Sequence, residues 1–141
     1  MEDMKYITQS EIGLPDITGC LEKAGYEAIL HEDSVRLQII SYYKVLVLHE
    51  GKMVETYCRW TEDSLEGQEK AQIRNYQRKD AALKYLFNVQ YAYNPDTLYA
   101  IADMLRPVLE CYGGYIYWEG KFFDLSNINQ FQHIRFKTNR D

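Results

Sequence analysis

The chain of 141 residues, 46% hydrophobic and 26% charged, suits one globular domain (1–141) with its own core and excludes a disordered chain or a disulfide-stapled miniprotein. The net charge of −5 is uneven: residues 1–70 hold seven basic and fourteen acidic side chains, whereas residues 71–141 hold nine and seven. Such a balance lacks the positive field that gathers phosphates, so no nucleic-acid partner is expected, while the acidic first half suits a basic protein partner. The longest aliphatic run, Val45-Leu46-Val47-Leu48, is too short to span a bilayer, which predicts no membrane partner. Met1 to Lys5 lacks the apolar stretch of a secretory signal, and the three cysteines contain no Cys-x-x-Cys pair; together these predict a cytoplasmic chain with reduced thiols.

In chain order, Lys5-Tyr6-Ile7 reads as a short edge strand or an ordered arm. A helix is predicted over Leu14–Ala24: Pro15 suits its first turn, Leu14, Ile17 and Leu21 recur at helical spacing, and Gly25 supplies a left-handed stop. From Tyr26 the period changes to two. Glu27–His31 and Val35–Ile40 read as strands around Glu32-Asp33-Ser34, and Tyr43–His49 and Met53–Trp60 flank a turn at Glu50-Gly51-Lys52, giving a four-strand meander. Helical spacing returns over Glu69–Gln90, where Ile73, Tyr76, Leu83, Leu86, Phe87 and Gln90 share one face. Asn94-Pro95-Asp96 opens a further helix, with Asn as cap, whose stripe includes Leu98, Ile101, Leu105 and Leu109; Pro107 removes one backbone bond, and Gly113-Gly114 ends it. Tyr115–Trp118, Glu119-Gly120 and Lys121–Leu125 form a hairpin, and residues 137–141 read as a frayed tail. The expected fold is α+β in the order α-ββββ-α-α-ββ, an antiparallel sheet covered on one face by helices in two layers.

Catalytic and cofactor motifs are missing. His31, His49 and His133 are scattered without metal-ligand spacing, Gly113-Gly114 follows a helix rather than preceding one, and neither a Walker pattern nor a Gly-x-Ser-x-Gly elbow occurs. No catalytic residue, metal or cofactor is therefore assigned, and Cys20, Cys58 and Cys111 are read as structural. The compositional oddity is thirteen Tyr, five Phe and two Trp. Tyrosine offers a large contact area with few rotors to freeze, which suits binding surfaces. Alternation places Tyr115 and Tyr117 on one face of their strand and Ile116 and Trp118 on the other. The candidate partner-binding residues are Tyr115, Tyr117, Trp118 and Glu119, with Trp60, Glu62 and Asp63 as a second patch. Their aromatics would anchor a partner and their carboxylates would pair with its Lys or Arg.

The run Tyr-Gly-Gly-Tyr-Ile-Tyr-Trp-Glu-Gly-Lys-Phe-Phe at 112–123, following a helix from Asn94, resembles the ending of several small bacterial immunity proteins. The resemblance implies a cytoplasmic, acidic, cofactor-free protein that neutralises a cognate toxin by covering its active site. The resulting expectation is a non-enzymatic immunity or inhibitor protein. An alternative is a secretion-chaperone-like or adaptor module that dimerises and holds a client; a third is a small-molecule binder using space between sheet and helices.

Overall fold

The structure, a computed structural model, describes residues 2–45, 50–63, 85–92 and 96–128. In chain order it contains β1 (Glu2–Thr8), α1 (Leu14–Lys23), β2 (Ile29–His31), β3 (Ser34–Val45), β4 (Glu50–Asp63), β5 (Tyr85–Tyr91), α2 (Thr97–Tyr112), β6 (Tyr115–Trp118) and β7 (Lys121–Phe123). The strands form one antiparallel sheet in the order β2-β3-β4-β5-β1-β6-β7, so the protein is α+β.

The expected order α-ββββ-α-α-ββ requires three corrections. Lys5-Tyr6-Ile7 is neither arm nor edge: β1 lies inside the sheet, pairing from Glu2↔Tyr91 to Thr8↔Tyr85 with β5 and from Lys5↔Tyr117 to Ile7↔Tyr115 with β6. Lys5 had the look of an edge residue. Its buried ammonium is instead satisfied by Asp63 Oδ2 at 2.9 Å and Asn88 Oδ1 at 2.8 Å.

The four-strand meander is the second correction. Val35–Ile40 and Tyr43–His49 were expected as separate strands, but β3 runs unbroken from Ser34 to Val45, because Val35, Leu37, Ile39 and Ser41 keep a period of two and no turn former interrupts them. Its pairing with β4 is continuous from Ser34↔Thr61 to Val45↔Glu50, so Glu50-Gly51-Lys52 lies within a strand rather than in a turn. Of Glu27–His31, only Ile29–His31 is strand.

The third correction concerns Glu69–Gln90. Residues 69–84 lie outside the described residues, and the end of the expected helix is β5. Tyr85, Phe87, Val89 and Tyr91 face the core, and pairing with β1 and β4 on its two edges decides for strand over helix. The Asn94 cap and the 137–141 tail also lie outside the described residues. Helix α2 begins at Thr97 with Asp96 at its N-cap position, and the Asp96 carboxylate pairs with Lys52 of β4 rather than capping the helix.

The helices start and stop as local chemistry dictates. Asp16 Oδ2 accepts the Gly13 N–H at 2.8 Å at the start of α1, and Gly25, at φ +96°, turns the chain so that the Tyr26 N–H reaches Leu21 O at 3.0 Å. At the end of α2, Tyr112 O accepts the hydroxyls of Thr8 at 2.9 Å and Ser10 at 3.0 Å, and Gly113 O accepts that of Tyr6 at 2.7 Å. These bonds satisfy helix-end carbonyls and fasten α2 to β1. The Glu119-Gly120 turn has positive φ at both residues, +47° and +77°, the conformation that matches the twist of a two-residue hairpin.

One core gathers Ile17, Cys20 and Leu21 of α1, Ile101, Met104, Leu105 and Leu109 of α2, and the side chains of one sheet face. Trp60 lies within it, 5.8 Å and edge-on from the Tyr6 ring, with its Nε1–H directed at Met104 Sδ at 3.2 Å. Two thiols share this interior. Burial raises the Cys58 thiol well above the ordinary thiol range, and burial followed by a hydrogen bond with the Cys111 thiol pushes Cys20 up to about 12.

Both thiols thus keep their protons in the fold at pH values where an unfolded chain loses them. Their stabilisation is fully present below the unfolded thiol pKa of about 8.5 and falls as pH rises, by about 1.4 kcal/mol per pH unit for the fully enclosed Cys58 and by less for Cys20, which lies nearer the surface. The urea midpoint is expected to drop steadily above that pH, and Cys58→Ala to lower the slope by at least half. A flat profile across this range contradicts the assignment.

Candidate functional site

The face of the sheet that carries Tyr57 is polar and apolar by turns. Because β3 and β4 bury Val35, Leu37, Ile39, Val54, Cys58 and Trp60 on one face, Arg36, Gln38, Ile40, Met53, Tyr57 and Arg59 occupy the other. Ile29 of β2 joins them opposite Arg36. Ile29, Ile40, Met53 and Tyr57 are each between 59% and 68% exposed, although side chains of this size are usually covered.

A hollow of about 740 Å³ adjoins this patch, bordered by Tyr26, Glu27, Ile29, Arg36, Ile40 and Tyr57. Its position follows from strand lengths. β2 pairs only with Ser34–Arg36, and among the described residues no strand pairs with the rest of β3 along that edge. From Leu37 to Val45, alternate residues of β3 therefore present backbone N–H and C=O groups away from β4, and the hollow opens beside the first of them.

Two arginines set the charge. Arg36 and Arg59 are directly opposed across β3 and β4, an arrangement that costs stability unless a carboxylate lies nearby. Arg59 Nε is buried and, among the described residues, meets no acceptor. Gln38 Nε2 donates to Glu55 Oε1 on the same face. At the rim, burial raises the Tyr26 phenol, with the Asp103 charge adding and the Arg106 charge opposing, so it stays a neutral donor. This arrangement offers hydrogen-bonding backbone, apolar contact area and an opposed arginine pair, with Glu27 and Glu55 as the carboxylates on the same side. Among the described residues no three His, Cys, Asp or Glu side chains gather as metal ligands do, and no helix is long and apolar enough to cross a membrane.

The candidate residues fall elsewhere. Trp60, expected to anchor a partner, is completely buried in the core and cannot touch one. Trp118 is buried on the same side, its Nε1–H donating to Tyr91 Oη at 2.9 Å and its ring 6.4 Å from Phe123. Tyr117 faces the other side but is also buried, packed with Ile7, Leu86 and, at 4.9 Å between rings, Phe122. Trp60 and Trp118 face the core shared with the helices, and Tyr117 packs into a second cluster on the opposite face, so none of the three presents its ring to a partner. Tyr115 is half-buried beside that cluster, and Glu119 is exposed at the hairpin turn. Glu62 is exposed, whereas half-buried Asp63 is engaged by Lys5. The two expected patches do not meet, since β5 and β1 separate β4 from β6.

Ile29, Ile40, Met53, Tyr57, Arg36 and Arg59 were missed. A signal for them exists: in a strand of period two, Ile39 and Ile40 cannot both be buried on one face, and Trp60 inward places Tyr57 and Met53 outward. The chain matches no family model, no curated protein and no solved structure.

Proposed function

We propose that the chain is a non-enzymatic protein-binding protein, a bacterial, cytoplasmic immunity or inhibitor protein that covers a cognate toxin, and that it docks through the outer face of β2–β4. The observation that supports this reading is the exposure of Ile29, Ile40, Met53 and Tyr57 on one face, beside a β3 edge that no strand among the described residues pairs beyond Arg36, and an opposed arginine pair. The partner this surface fits presents an extended segment that adds to β3, apolar side chains for Tyr57 and Ile40, and a carboxylate for Arg36 and Arg59. Its charge is thus opposite to that of the basic partner suggested by overall composition.

The test uses a toxic protein whose growth inhibition is relieved by co-expression of this chain. Binding is measured with wild type and with Ile40→Ala/Tyr57→Ala. Truncating two central contacts is expected to weaken binding about 10- to 100-fold and to abolish the relief. Unchanged affinity, or failure of any toxin of the native host to be neutralised, overturns the proposal. The dimerising, client-holding alternative is favoured by one observation, the β3 edge beyond Arg36 that no strand among the described residues pairs, on which a second copy can pair. A dimer by light scattering that Ile40→Lys dissociates supports that alternative over the inhibitor.

A further inference from the structure

Helices α1 and α2 run antiparallel where they meet. The Tyr112 hydroxyl donates to Asp16 O at 3.1 Å, and one turn further along α1, and back along α2, the Cys20 thiol donates to Pro107 O at 3.2 Å. Pro107 lies four residues before Cys111, the spacing that places two side chains on one helix face. Helical side chains lean toward the N-terminus, so that of Cys111 leans back over Pro107 and toward the sulfur of Cys20. The neighbouring Cys111 thiol adds to burial in raising that of Cys20, in keeping with this placement.

They differ in access. Cys20 is buried and Cys111 is exposed, while Cys58 is buried on β4. An accessible thiol next to a shielded one is the layout of an attacking and a resolving cysteine.

We propose that Cys20 and Cys111 are a reversible oxidation site, closing a disulfide that ties α1 to α2 on exposure to a low-molecular-weight disulfide such as oxidised glutathione. Cys111, as thiolate, attacks one sulfur of the reagent. The reagent's S–S bond breaks, and the first glutathione leaves and takes up the Cys111 proton. Cys20 then attacks the Cys111 sulfur of the mixed disulfide, forming the Cys20–Cys111 bond. The second glutathione leaves with the Cys20 proton. The protein has lost two electrons and two protons, and the reagent has been reduced to two thiols. The site does not depend on the docking surface and stands whether or not that surface binds a toxin.

The test is intact-mass measurement of the full reduced chain after incubation with oxidised glutathione. The expected result is loss of the mass of two hydrogen atoms without an adduct, a fall from three alkylatable thiols to one under denaturing conditions, and a proteolytic fragment joining Cys20 to Cys111. Cys20→Ser is expected to arrest with glutathione held on Cys111, and Cys111→Ser to give no product while folded. A wild-type chain that keeps the adduct on Cys111, or that crosslinks to a second copy through Cys111 while Cys20 remains alkylatable, overturns the proposal. Because the wild-type mass and peptide map carry the decision, a variant that fails to fold does not leave it open.

Discussion

Gly114→Ala is expected to destabilise the fold by about 3–5 kcal/mol and to loosen β6 before the rest of the sheet. Gly114 has φ +90°, and a Cβ there would sit 2.1 Å from Ile7 O and 3.1 Å from the backbone carbons Ile7 C and Thr8 Cα. No flexible side chain can move aside. The obstacle is the main chain of β1, itself held by β5 on its far edge, and the adjacent residue Tyr115 is the ladder partner of Ile7. Accommodating the methyl group means parting β6 from β1 or twisting the junction that Thr8, Ser10 and Tyr6 fasten. Gly113 is the control. Its φ of +66° is also positive, but nothing lies within 4 Å of a Cβ there, so alanine meets backbone strain alone, about 1–3 kcal/mol. Urea denaturation gives the ranking, and hydrogen exchange at the β6 amides locates the loss. Equal effects at the two glycines contradict the close approach.

Trp60→Ala is expected to cost about 3–5 kcal/mol, a large share of the 5–15 kcal/mol that holds a typical domain together. The indole has no exposed surface, contacts Tyr6 edge-on and directs its N–H at Met104, so truncation leaves a cavity between β4, β1 and α2. Tyr57→Ala, three residues earlier on the same strand, is expected to change stability by less than about 1 kcal/mol because its ring is on the outer face. The pair separates two meanings of an aromatic residue on one strand. If Trp60→Ala leaves the denaturation midpoint unchanged, or Tyr57→Ala lowers it as much, the parity of β4 is wrong.

Where structure follows from a few neighbouring residues, it was legible in the sequence. Gly25 after an apolar stripe ends α1, Gly113 ends α2, and Glu119-Gly120 between aromatic runs makes the β6–β7 hairpin. The failures share a physical cause. Leu86, Phe87 and Gln90 fit a helical face, while Tyr85, Phe87, Val89 and Tyr91 fit a strand equally well; β1 and β4, far away in sequence, decide between them. The same distant pairing puts β1 inside the sheet and buries Lys5, which looked like a residue of an edge. Of the exposed face of β2–β4, parity alone identifies Tyr57, Met53 and Ile40 once Trp60 is inward. The hollow was not legible, because it depends on β2 ending early against β3.

The inner position of β1 has a consequence for biogenesis. Lys5 finds its ladder partners at Asn88 and Tyr117, so β1, once synthesised, waits for roughly a hundred more residues before both its edges are covered. At translation rates of about 5–20 residues per second, that wait lasts several seconds or more. Meanwhile the hairpin of β3 and β4, whose contacts are near neighbours, has everything it needs to zip up. Folding of this chain is therefore expected to be limited by inserting an early segment between two late ones, the mark of a high-contact-order topology.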